Sequence, residues 1–106
     1  MQIVPITLGG RNSVFPFDVL LTADFAFPRS VRRVDAVLSG FRLEFIDSDH
    51  ELSEVKMRTT PTFDPNRSAT SGTVGVHFTW RDDGVSPSAA DTIRAEIHVL
   101  VIGHED

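Results

Sequence analysis

The sequence predicts an all-β antiparallel sandwich of about six or seven strands, forming a single domain over residues 1–106. Three observations lead there. Apolar residues recur at every second position along most of the chain. Turn-forming residues interrupt that pattern at short intervals. β-Branched residues crowd the one long segment that could also read as a helix.

The elements follow in order. Strands are expected near residues 2–8, 17–25 and 31–39. Phe41, Leu43 and Phe45 then alternate with Arg42 and Glu44. Val55, Met57 and Thr59 alternate with Glu54, Lys56 and Arg58. Val74, Val76, Phe78 and Trp80 alternate with Gly75, His77 and Thr79. Ile93, Ala95, Ile97, Val99 and Val101 alternate with Arg94, Glu96 and His98. Each run has one face to bury. Turns are expected at Gly9-Gly10, Phe27-Pro28, Ser39-Gly40, Asp47-Ser48-Asp49, Asp64-Pro65-Asn66, Asp83-Gly84 and Ser86-Pro87-Ser88. Two stretches, 61–72 and 81–91, read as long loops, and loops of that length are either functional or mobile.

Two segments have a helical alternative. Ile93, Ile97, Leu100 and Val101 fit a helical stripe, but Thr92, Ile93, Ile97, Val99, Val101 and Ile102 favour a strand. Residues 50–58 could open with a helical turn, and strand is again preferred.

Composition excludes several function classes. A chain of 106 residues buries roughly two-thirds of its unfolded surface and folds without a metal or disulfide. There are no cysteines, so there are no disulfides, thiolate metal sites or cysteine nucleophiles. The net charge of −5 argues against a nucleic-acid binder. Arg29, Arg32 and Arg33 form the longest basic feature and read as a solvated face. The start, Met1-Gln2-Ile3-Val4-Pro5-Ile6, lacks a signal-peptide pattern, and no apolar run is long enough to insert in a membrane. The expectation is cytoplasmic synthesis, with release by lysis or as part of a particle left open.

Few constellations suggest chemistry. Asp47-Ser48-Asp49-His50-Glu51 is rich in oxygen ligands but has no calcium-loop spacing and reads as a hairpin turn. His50, His77, His98 and His104 lack zinc-site spacing. His77 and His98 are expected on the outward faces of neighbouring strands, as a cross-strand pair, an interface contact or plain surface residues. The tail His104-Glu105-Asp106 is expected to fray. No nucleophile elbow or phosphate loop is present, so the expectation is a non-enzyme with no cofactor and no metal.

Trp80 is the single Trp and stands at a strand end before Arg81, Asp82 and Asp83. An aromatic face there can stack on a sugar ring while charged neighbours bond its hydroxyls. It can equally be the lid of a hydrophobic core. The last strand carries a second signal: Leu100 and Ile102 fall on the face that His98 begins as polar. Its end is therefore apolar on both sides, which a two-layer sandwich cannot cover by itself. His98, Leu100 and Ile102 are expected at an interface between copies of the chain.

These motifs together resemble the H-type lectin domain over roughly residues 14–103. Phe25-Ala26-Phe27-Pro28 resembles its aromatic–Pro element, and Val34-Asp35-Ala36-Val37-Leu38-Ser39-Gly40-Phe41 its first alternating segment. Glu51-Leu52-Ser53 stands in place of Asn-Leu-Arg. The strand ending in Thr79-Trp80 and the final Val99-Leu100-Val101-Ile102-Gly103 complete the likeness. Val99 and Ser53 depart from the family's usual Trp and Arg. The resemblance implies a β-sandwich, a trimer with carbohydrate sites at subunit boundaries, and a binding role for Trp80 and Arg81. The expected ligand set is Trp80, Arg81, Asp82, Asp83, Lys56 and Arg58, and the expected partners are a carbohydrate and further copies of the chain. The alternative is a structural subunit of a phage or other particle, built on the same sandwich.

Overall fold

The computed structural model of the chain describes residues 1–45, 52–82 and 93–105. Six strands lie among them: β1 (Gln2–Phe15), β2 (Asp18–Ala26), β3 (Arg33–Phe45), β4 (Leu52–Thr62), β5 (Ser71–Asp82) and β6 (Ile93–His104). They form two three-stranded antiparallel sheets. Sheet A has the order β1-β6-β3 and sheet B the order β2-β5-β4. β1 lies beside β2 and β3 beside β4, which sets β6 opposite β5 across the interior. The predicted all-β sandwich is the observed fold.

The core sits between the two central strands. From β5 come Val74, Val76, Phe78 and Trp80. From β6 come Ile93, Ala95, Ile97, Val99 and Val101. Phe25, Phe27 and Val31 close the end of this layer near Gly72 and Gly103, and Leu8 flanks it from β1 beside Ile97. Each large side chain sealed in this way contributes about 1.5–3 kcal/mol. The last segment is a strand, because period-two burial covers five apolar residues of β6 on one face, and β4 is a strand from Leu52, with residues 50 and 51 outside the described residues.

Two predicted turns are irregularities inside strands. The runs expected at 31–39 and 41–45 are one strand, β3. Leu38 pairs with Val99 and Phe41 with Ile97, so Ser39 and Gly40 together oppose the single residue His98. That is a β-bulge. The extra residue keeps Val34, Ala36 and Leu38 on the same side as Phe41 and Leu43. Gly9-Gly10 likewise does not end β1. The register jumps between Gly9 and Val14 while β6 advances by only two residues. Gly9 has φ 72°, and a Cβ there would lie 2.6 Å from the Ala95 carbonyl oxygen.

The long loop expected at 61–72 is shorter, because β4 runs on to Thr62. Pro61 is tolerated there on an edge strand. The connection 63–70 is held by Asp64, whose carbonyl accepts from the Arg67 and Ser68 N–H groups at 3.1 and 2.9 Å. Its side chain accepts from the Asn66 N–H at 3.0 Å. The Phe27 and Val31 N–H groups donate to Thr70 and Ala69 carbonyls at 2.7 Å, tying this connection to the one between β2 and β3. The turns expected at 47–49, 83–84 and 86–88 lie outside the described residues.

The C-terminal tail does not fray through Glu105. The Gln2 amide, 8% exposed, donates to Glu105 Oε1 at 2.8 Å and to the Arg29 carbonyl at 3.2 Å, and accepts from the Arg29 N–H. Arg29 Nε donates to the same Glu105 oxygen at 2.8 Å. One buried amide thus joins the first strand, the β2–β3 connection and the last residues.

Gly103 is enclosed by Val31 and Phe27, whose side chains would stand 2.8 and 2.9 Å from an added Cβ. Gly103→Ala is expected to cost about 1–3 kcal/mol through overpacking, measured by denaturant unfolding. The hydrogen bond from Arg29 holds the Glu105 carboxyl below the usual carboxylate range, against some desolvation. A lowered folded value means the contact is fully present above the ordinary carboxylate range. It is lost as pH falls through that lower value. Arg29→Ala should raise the Glu105 titration midpoint seen by carboxyl NMR.

Candidate functional site

Trp80 follows the alternation that builds β5. It lies on the same face as Val74, Val76 and Phe78, and that face is the core. Only 1% of its surface is exposed. Its indole N–H donates to the Pro16 carbonyl at 3.1 Å, and its backbone N–H to the Phe17 carbonyl at 3.0 Å. The expected sugar-stacking role of Trp80 is therefore corrected. A buried ring offers no face to a ligand, and Trp80 is the core lid that the sequence left as the other possibility.

Its neighbours do converge on the outer face of sheet B. Arg81 pairs with Glu54 across β4, and Thr79 pairs with Lys56 on one side and Asp18 on the other. A shallow hollow of about 190 Å³ is lined by Phe17, Asp18, Glu54, Lys56, Thr79, Trp80 and Arg81. Lys56 Nζ lies 3.2 Å from Glu54 Oε1, and His77 Nε2 lies 2.6 Å from Asp18 Oδ1. These pairs are largely exposed, and such pairs contribute little to stability. Arg58 stands one row along, opposite His77. The Asp82 side chain, Asp83, Asp91 and the Asp47–Glu51 cluster with His50 lie outside the described residues.

The outer face of sheet A is chemically different. Ile3, Ile102 and Asp35 form one cross-strand row; Pro5, Leu100 and Val37 form the next. Ile3 and Val37 are 51% and 43% exposed, and Leu100 and Ile102 are half-buried. His98 follows, between Thr7 and Gly40. Its Nδ1 lies 3.3 Å from Thr7 Oγ1 and its Nε2 3.2 Å from Glu96 Oε1. The apolar end of the last strand thus extends across three strands. His77 and His98 are not a cross-strand pair: β5 and β6 follow one another in sequence but belong to different sheets, so their outward faces point in opposite directions. Among the described residues no group of three or more His, Asp or Glu side chains is placed to hold a metal ion.

A larger feature escaped sequence reasoning. At the other end of sheet B a cleft of about 640 Å³ is lined by residues of β2, the β4–β5 connection and the start of β5. Asp24, Thr73 and Thr62 form a row across its base, with Ala26 and Ser71 beyond. Asp64, Arg67 and Ser68 come from the connection. The only sequence signal was the polar loop at 61–72. Nothing in the alternation of β2 marks Asp24 as part of a concave surface.

Trp80→Phe should cost about 1–2 kcal/mol, because the Pro16 carbonyl loses its buried donor; Trp80→Ala should cost about 3–5 kcal/mol. Urea unfolding checks both. In comparisons with protein families, curated proteins and solved structures, no family model, curated protein or solved structure matches the chain.

Proposed function

We propose that the protein is a non-catalytic carbohydrate-binding module that associates into a homo-oligomer, as a trimer in the lectin-like arrangement its motifs resemble. One observation carries this reading: the two outer faces of the sandwich differ. Sheet A presents the apolar rows Ile3–Ile102 and Pro5–Leu100–Val37. Sheet B presents Asp18, Thr22, Asp24, Lys56, Arg58, Thr60, His77, Thr79 and Arg81, with Leu20 as its exposed large apolar residue. Apolar surface of that kind is suited to a symmetric interface between copies. Sheet B is then left facing outward, with hydrogen-bonding groups set in shallow concavities.

In this proposal Arg81 and Lys56 donate to sugar hydroxyls in the hollow beside Thr79, while Asp18 and Glu54 accept from them. Trp80, buried on the opposite face of β5, makes no stacking contact. Lys56 and Arg81 belong to one chain's hollow, so a neighbouring subunit need not supply them. Affinity per site is weak in a hollow without an aromatic platform, and several sites on one oligomer supply the avidity.

The rival reading is a structural subunit of a phage or other particle. The apolar rows of sheet A favour it equally, since they serve assembly whatever sheet B does. Sugar binding separates the two.

Leu100→Glu should dissociate the oligomer with little change in secondary structure, as read by light scattering and circular dichroism. A monomeric wild type would refute the interface. Arg81→Ala combined with Lys56→Ala should weaken binding on a glycan array about tenfold or more. A wild type that binds no glycan while remaining oligomeric leaves the structural-subunit reading.

A further inference from the structure

We infer that the 640 Å³ cleft at the far end of sheet B is a second saccharide site, separate from the hollow beside Arg81. The inference rests on the carbohydrate-binding reading and adds to it a position and a set of residues. Along β5 the two places are about 20 Å apart, six residues from Thr73 to Thr79 at strand rise.

The space arises from the strands themselves. Beside Asp24 the base carries short side chains: Thr62, Thr73, Ser71 and Ala26. Beneath them Gly72 permits the closest approach, since a Cβ there would collide with the Thr62 carbonyl oxygen and come within 2.8 Å of the Phe25 ring. The wall from the β4–β5 connection is preformed. Asp64 binds its own turn, and the Phe27 and Val31 N–H groups tie the connection to the rest of the fold. A ligand entering therefore has little loop to order.

The groups that line the cleft select a ligand class. Two carboxylates, Asp24 and Asp64, and one guanidinium, Arg67, line the cleft, so the site is net negative and disfavours phosphate and other anions. Two carboxylates fall short of a metal site, and no three-residue metal group occurs among the described residues. Phe25 lies buried at 3% exposure, so no aromatic face is offered to a nucleobase. The lining matches a neutral ligand that donates to carboxylates and accepts from a guanidinium at once. Ring hydroxyls of a saccharide do both, and Ser68, Ser71, Thr62 and Thr73 add hydroxyls of their own. Among the described residues no hydrogen bond or ion pair occupies the Asp24 carboxylate or the Arg67 guanidinium, so both are available. A volume of this size is within the range of small-ligand sites, roughly 300–1,000 Å³.

The test uses the full chain on an array of defined neutral oligosaccharides. Hits are followed by NMR titration with the corresponding methyl glycosides. Three proteins are compared: wild type, Asp24→Ala with Arg67→Ala, and Arg81→Ala with Lys56→Ala. Asp24 and Arg67 are exposed, so the first pair should leave melting unchanged. Thr73→Leu, which replaces a hydroxyl at the base of the cleft with an apolar side chain, serves as an independent variant. The expected result is a glycoside that shifts the amides of Asp24, Arg67 and Thr73 in the wild type. Its affinity should fall about tenfold or more in the cleft variants and persist in the Arg81–Lys56 variant. If every bound glycoside loses affinity only in the Arg81–Lys56 variant and none does in the cleft variants, the second site is overturned while the carbohydrate reading stands. Absence of binding to any glycan by the folded wild type would overturn both.

Discussion

The packing of β6 against β5 is the constraint on which everything else depends. These two strands are the centre of each sheet, and their inward residues are among the most deeply buried of the described residues. Each must therefore alternate strictly, and each has one face with no freedom to serve a ligand. Trp80 illustrates the cost to function. It stands where an exposed aromatic would make a binding platform, but its parity along β5 assigns it to the interior. The Pro16 carbonyl then satisfies the one polar atom it carries inward.

Sheets of only three strands leave the interior narrow. Edge-strand residues that face inward, such as Val4, Ile6, Leu21, Ala36, Val55 and Met57, are only half covered. Buried area among the described residues is thus concentrated along one line, between two outer faces. They are unlike. On sheet A, three strands bring apolar residues from positions 3, 5, 37, 100 and 102 into adjacent rows. On sheet B, charged and hydroxyl side chains from three strands surround a shallow hollow at one end and a wider cleft at the other. The proposed association through one face and recognition through the other rests on that division.

Much of the fold was legible because period two is a local property. The runs at 55–59, 74–80 and 93–101 needed no partner to be recognised, and Leu100 and Ile102 stood out because they broke the pattern of their own strand. Arg81 and Lys56 were legible as a pair only in part. Their types suggested hydroxyl binding, but their shared place comes from the pairing of β4 with β5. The bulges were misread because Ser39-Gly40 and Gly9-Gly10 have the composition of turns. A glycine relaxes the backbone in either setting, and only the opposite strand decides between a reversal and a bulge. The histidine pair failed for a related reason: strands adjacent in sequence need not share a sheet.

By itself the sequence determined the all-β class, which residues of each strand lie on one face, and the absence of cysteine chemistry, because these depend on residue type and near-neighbour spacing. The tertiary structure decided which face is inside, which strands pair, and where concave surface forms. Those outcomes depend on contacts between residues far apart in the chain, such as Asp24 with Thr73 across β2 and β5, or Ile3 with Ile102 across β1 and β6. No local pattern encodes such distances, and it is across them that Trp80 moved from candidate platform to core.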